Sequence, residues 1–161
     1  MTTLLFQAIH ALSFGSVMLL SGCVSQAKDD SAATKVAVEG IWKEYSASLN
    51  AGDLDRWLAL WTEDGVQMPP GEPSVAGKER IRTRNRAFLE RFTFDISITN
   101  EEVQTSGDWG YARGVYQARL TPKAGGKPLP IDGKYMTIMV RQADGSWKIH
   151  RDIFNSNVAE N

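Results

Sequence analysis

Cysteine is nearly absent from this 161-residue chain. Cys23 is the only one, so no internal disulfide can form and the fold must be held by its core. Histidine is almost as scarce. There are two, His10 and His150, which excludes a histidine-rich metal centre. Charge of one sign is lacking too: 18 Lys and Arg stand against 19 Asp and Glu, a net charge of -1. Nothing global points to nucleic acid. No uninterrupted apolar run is long enough for a permanent span, because residues 4–20 are broken by Gln7, His10 and several Ser and Thr. What is present is aromatic weight, with five Trp, four Tyr and six Phe in a chain that is 42% hydrophobic. That is enough for one domain with a sizeable core.

The single cysteine follows the apolar stretch directly, in Leu20-Ser21-Gly22-Cys23. This resembles a bacterial lipoprotein signal with its lipobox, which implies lipidation of Cys23, residues 1–22 as the leader and attachment to the cell envelope, on the periplasmic side in a Gram-negative host. One feature departs from the pattern: no Lys or Arg precedes Cys23, although signal peptides have a basic start. The alternatives are an ordinary secretory leader and a lone buried cysteine. Val24 stands where an Asp would retain an enteric-type lipoprotein at the inner membrane. Residues 23–31 are small and polar and read as a tether.

The folded part is organised around Tyr45–Trp61. Val38, Ile41, Trp42, Tyr45 and Leu49 recur at helical spacing, as do Leu54, Trp57, Leu58 and Trp61. Between them Asn50-Ala51-Gly52 supplies a stop and Asp53 an N-cap. The expected helices are 31–50, 53–61 and 77–92. A short strand at 66–68 and a Pro69–Pro73 loop, excluded from a ladder by its prolines, separate the last two. From Thr93 the period becomes two. Strands are expected at 94–98, near 102, at 111–121, 131–142 and 147–155, with a flexible connection at 123–128 and an Asp144-Gly145 hairpin turn. Helices first and strands after argue for an α+β domain from 32 to 157, with helices on one face of a curved, mainly antiparallel sheet. The other face then needs cover, and a homodimer through it is expected.

The run Tyr45-Ser-Ala-Ser-Leu-Asn-Ala-Gly-Asp-Leu-Asp55, followed by Thr62-Glu63-Asp64-Gly65, resembles the opening of the nuclear transport factor 2-like superfamily. Asp144 to Asn155 is similar to the closing strand of its small members. The resemblance spans about Ala32 to Asn157 and implies a cone-shaped fold. The superfamily includes ketosteroid isomerase and SnoaL-like polyketide cyclases, and also binding and assembly domains, so the fold does not name the function. Isomerase chemistry needs a carboxylate base, a tyrosine and a protonated aspartic acid. Tyr45 matches the tyrosine. The base position falls on Pro69 and the second acid near Thr137-Ile138-Met139. Neither carboxylate carries over.

Other candidates come from the residues themselves. Strict alternation in the last strand places His150 and Asp152 on one face, where they would form an acid–base pair, although Lys148 shares that face and argues for solvent or a dimer. SnoaL-like cyclases use carboxylate and histidine near this region. Asp132 is either an acid reaching into the cone or a turn residue before Gly133. The third helix carries Lys78, Arg80, Arg82, Arg84, Arg86 and Arg91. This is read as a solvated face, with Arg84, beside the apolar stripe, positioned to reach a pocket and bind a carboxylate. The pocket is expected to involve Tyr45, Trp61, Met68, Arg84, Tyr116 and Tyr135. No metal and no cofactor is expected. Three functions stay open: an envelope-anchored module binding an apolar small molecule, an isomerase, cyclase or dehydratase using His150, Asp152 or Asp132, and a structural dimerisation domain.

Overall fold

The computed structural model describes residues 23–157. The leader expected at residues 1–22 lies outside the described residues. Helix α1 runs Cys23–Ala51, so the stretch read as a tether is helical backbone continuous with the first helix. Its composition suits this, because Gln26, Ala27, Lys28, Ala32 and Ala33 are good helix formers. The stripe Val38, Ile41, Trp42, Tyr45 and Leu49 is buried. Gly52, at φ 69°, ends α1. Its N–H donates to the Leu49 carbonyl (3.0 Å) and the Asp53 N–H to the Ser48 carbonyl (2.9 Å), the paired bonds of a Schellman stop. Asp53 then caps α2 (Leu54–Leu58), accepting from the Arg56 N–H at 3.0 Å.

Helix α2 is shorter than its apolar spacing suggested. The Ile149 N–H donates to the Leu60 carbonyl (2.8 Å), and this draws the chain into the sheet one turn early. Strand β1 (Trp61–Met68) therefore begins five residues before the short strand expected at 66–68. Strand β2 (Val75–Ala76) is a two-residue edge, followed by α3 (Lys78–Arg91). Strands β3 (Phe92–Ser106), β4 (Trp109–Pro122), β5 (Leu129–Arg141) and β6 (Trp147–Ser156) complete a sheet in the order β2-β1-β6-β5-β4-β3. All pairs are antiparallel except β1 with β6. The two strands expected between 94 and 106 are one. Strand β3 runs on through an irregularity at Asn100–Glu102, opposite Gly114, where a Cβ would run into the Thr99 backbone.

The core lies between the helices and the inner face of the sheet. Trp57, Leu58, Trp61, Ile81, Met139 and Ile149 are fully enclosed. Trp57 joins Tyr45 edge-on (centroids 5.4 Å) and Trp61 at 5.2 Å. Trp61, expected in the pocket, does not line it. It is instead a core residue, because β1 begins there and points its side chain under Trp57. Among the described residues, no helix is long and apolar enough to cross a membrane.

The last strand departs from strict alternation. Met139 pairs with Ile149 and Ile138 with Arg151, which leaves His150 as an extra, bulged residue. Such an insertion shifts the side-chain phase by one. Trp147 and Ile149 face inward before the bulge, and Asp152 faces inward after it. His150 is turned to the outer face, edge-on to the exposed Trp109 (centroids 5.4 Å). The expected His150–Asp152 pair is therefore not formed.

Candidate functional site

The wide end of the sheet stays open between α1, α3 and the inner faces of β3–β6. It encloses a cavity of about 450 Å³. The apolar walls come from period-two positions on β3 and β4: Phe94, Ile96 and Ile98 face Leu120, Ala118 and Tyr116 across the ladder. Phe88 of α3 and Phe154 of β6 close the sides. Trp42 and Tyr135, with centroids 4.5 Å apart, separate the cavity from the core.

The polar groups are few and come from different elements. Asp152 is 2% exposed and lines the cavity. It lies opposite Thr137 in the β5–β6 register, and the Thr137 hydroxyl donates to its Oδ1. No cation is among the groups that set its ionisation. Burial disfavours the carboxylate and pushes its pKa up to about 6, against the opposing Thr137 bond. Tyr45 is buried and its hydroxyl pKa is raised, first by burial and then by the charge on Asp152. Tyr135 is raised for the same two reasons, and its hydroxyl donates to Asn100 Oδ1. Tyr116 lies across Gly133, its partner in the β4–β5 register, where a Cβ would collide with the tyrosine ring. Its hydroxyl donates to the Asn155 carbonyl at 3.3 Å.

At the α3 side, Arg84 lines the cavity and pairs with Glu72 of the proline-rich loop through two bonds, Nε–Oε2 at 2.9 Å and Nη2–Oε1 at 2.8 Å. Arg84 holds the Glu72 carboxyl below its usual range. Gln67 of β1 is buried. Its Oε1 accepts from Asn85 Nδ2 (3.0 Å) and from Arg84 Nη1 (3.4 Å).

Of the residues expected at the site, Tyr45, Arg84, Tyr116, Tyr135 and Asp152 line the cavity. Met68 does not. It shares register with Ile153 on the outer face, and the inward position of β1 belongs to Gln67. Sequence reasoning missed Gln67 because it favoured the apolar neighbour. The signal was Asn85 on the apolar stripe of α3, a buried amide that requires a polar partner from another element. Asp132 is exposed on the opposite face of β5, where Asn157 donates to its carboxylate; it cannot act in the cavity. His150 Nδ1 lies 3.2 Å from Thr62 Oγ1 and 3.4 Å from Asp64 Oδ1. Both partners meet the same ring nitrogen, so this is not a relay through the imidazole. Burial, then Arg151, lower the His150 pKa.

The carboxylates lining the cavity are Asp152 and Glu72. One is a lone buried acid and the other is neutralised by arginine. Among the described residues no group of three or more His, Cys, Asp or Glu side chains is arranged to hold a metal ion. The arrangement can hold an apolar body and present a buried carboxyl of raised pKa and tyrosine hydroxyls to one end of it.

Comparison with known proteins agrees on the architecture. A ketosteroid isomerase-like protein from Erwinia carotovora atroseptica superposes with a TM-score of 0.71 at 29% identity, covering 77% of this chain and 96% of that one. A nuclear transport factor 2-like superfamily protein from Salmonella enterica gives a TM-score of 0.69 at 12% identity, covering 80% and 96%. The fold is thus the nuclear transport factor 2-like α+β fold. The orange carotenoid-binding protein of a Synechocystis strain is 36% identical over 58 residues, 34% of this chain but 18% of that protein. The chain spans less than a quarter of the length of the curated relatives it matches. The SnoaL-like domain profile matches residues 42–150, which takes in α2, α3 and most of the sheet, and the chain belongs to the SnoaL-like domain family.

Proposed function

We propose that this protein binds an apolar, ring-shaped small molecule with a polar end, and that Cys23 tethers it to the bacterial envelope. The observation that carries the binding reading is the cavity itself. At about 450 Å³ it falls within the roughly 300–1,000 Å³ of small-molecule sites, and it has their usual make-up of apolar walls with a few converging polar groups. The partial likeness to a carotenoid-binding protein supports an apolar ligand. Among the described residues the carboxylates lining the cavity are Asp152 and the arginine-bound Glu72, which favours binding over isomerase chemistry. A thermal-shift screen of ring compounds tests the reading, with stabilisation expected for a subset of them. Tyr45→Phe should then weaken the hits by roughly 0.5–1.5 kcal/mol, the worth of one hydrogen bond. A screen without any stabilising compound refutes the binding function.

A second reading is favoured by Asp152. A carboxyl that titrates near pH 6 in an apolar site, beside a tyrosine hydroxyl, is suited to general acid–base work. In that case the protein is an isomerase, cyclase or dehydratase with Asp152 as the acid or base. Asp152→Asn would then abolish turnover while ligand binding and the fold persist.

A further inference from the structure

The cavity carries a bound carboxylate of its own, and this defines the chemistry of the ligand's polar end. Arg84 is 15% exposed at its side chain, and Glu72 is 43% exposed. The guanidinium belongs to α3 and the carboxylate to a loop built from Pro69, Pro70, Gly71 and Pro73, with Gly71 at φ 68°. The two sides of the pair are held very differently. Gln67 Oε1 also accepts from Arg84 and is fixed by Asn85, whose Nδ2 donates a second bond to the Ile81 carbonyl at 2.8 Å. The guanidinium carbon lies over the Phe88 ring, 4.7 Å from its centroid. Arg84 thus has contacts, to Gln67 and to Phe88, that do not depend on Glu72. Among the described residues, the bonds to Arg84 are the hydrogen bonds formed by the Glu72 side chain.

A planar fork that faces a cavity and already grips a carboxylate in two-point geometry is matched to another carboxylate of the same shape. We propose that the natural ligand is an apolar monocarboxylate whose carboxylate replaces that of Glu72 on Arg84, releasing the Pro69–Pro73 loop from the cavity wall. This rests on the pocket being a binding site, as proposed above. Glu72 acts as an intramolecular competitor that occupies the fork when no ligand is present and spares Arg84 an unpaired charge against an apolar wall. An alcohol or amide of the same shape cannot replace it, because it would leave two charges unpaired.

The test uses the purified full chain, naphthalene-2-carboxylate and its primary amide, with affinities from isothermal titration calorimetry at pH 7.5. The wild type is expected to prefer the carboxylate. Glu72→Gln removes the competitor and should tighten carboxylate binding about tenfold or more while leaving the amide unchanged. Arg84→Gln should erase the preference, and Arg84→Lys, which keeps the charge but loses the fork, should retain only part of it. Circular dichroism melts identify any variant that fails to fold, and Glu72→Gln, at a half-exposed site, decides the matter if Arg84→Gln does. Equal binding of both probes, with no effect of Glu72→Gln, overturns the carboxylate assignment and leaves the pocket reading standing. Binding of neither probe, in a protein that also answers to no compound of the ring screen, overturns both.

Discussion

Thr137 and Asp152 are direct partners across β5 and β6, and the threonine hydroxyl donates to a carboxyl group that is 2% exposed. One bond does not offset the loss of hydration, so the carboxyl holds its proton to a higher pH than a free aspartic acid.

The consequence for stability has a definite sign. The Asp152 pKa rises from 3.8 to about 6 on folding, so between these values the native state holds a proton that the unfolded chain has lost. Stability from this group is fully present below about pH 4 and is lost as pH rises to about 6, by up to roughly 3 kcal/mol at 1.36 kcal/mol per unit. Carboxylates such as Glu72, whose pKa values are lowered, act in the opposite direction, so the wild-type curve alone is a sum. The difference between wild type and Asp152→Asn isolates the buried acid. The variant should gain on the wild type from pH 4 to pH 6.5 and hold that gain above it. Urea titrations at half-unit steps measure this, and a pH-independent difference would mean that Asp152 is hydrated.

Much of this architecture is legible from local rules. The spacing of Val38, Ile41, Trp42, Tyr45 and Leu49 marks the buried face of α1, and Gly52 and Asp53 mark its end and the next beginning, because caps depend on residues within a few positions of each other. The inward face of β6 is not legible in the same way. Alternation from Trp147 predicts that His150 and Asp152 share a face only if every residue is paired. One residue is not, and the reason lies in β1, which pairs in parallel with the same strand and has its own register break between Trp61 and Val66. Two irregular neighbours accommodate each other across 88 residues of sequence, and no window of β6 contains that information. Trp61 and Met68 were misplaced by the same kind of non-local effect, since where β1 starts is decided by Ile149.

Asn50 supplies a second prediction. Strand β3 is the free edge of the sheet, and the Asn50 amide engages it with both of its ends. Its Nδ2 donates to the Ile96 carbonyl at 3.0 Å, and its Oδ1 accepts from the Ile96 N–H at 2.7 Å. The side chain thus stands in for one residue of a neighbouring strand and fixes the C-terminal turn of α1 over the cavity. Asn50→Ala should cost about 1–2 kcal/mol for two partly solvated bonds. Asn50→Asp, which keeps the acceptor and loses the donor, should fall between. Faster amide exchange at Ile96 in both variants would locate the effect on the strand edge.

Cys23 carries the proposal of an envelope tether. Cys23→Ser removes the thiol that a lipid would be joined to. We expect the wild-type chain in the membrane fraction of a bacterial host, with the variant released or left as the unprocessed precursor. Identical fractionation of the two would exclude lipidation at this position.

The outer face of the sheet is expected to be the interface of a homodimer. Its apolar residues are not scattered. Met136 and Ile153 are register partners on β5 and β6, Ile138 follows along β5, and Val115 lies on the neighbouring β4. They are 46%, 49%, 39% and 36% exposed. Helices cover the other face, so this patch is left to water in a single chain, and a contiguous apolar surface of this kind is a site for association. A two-fold pairing through it would bury the same residues on both copies. Met136→Glu places a charge at the centre of the patch. Because alternate residues of a strand point to opposite faces, the substitution leaves Tyr135 and Thr137 undisturbed beneath it. Sedimentation at micromolar concentration should therefore show a wild-type dimer and a Met136→Glu monomer. The variant should keep the ligand affinity of the wild type, since the cavity lies wholly within one chain. A wild type that sediments as a monomer would remove the dimer and leave the patch to another partner. A variant that loses both dimer and ligand would show that the two faces are coupled, with the cavity held in shape by the second copy.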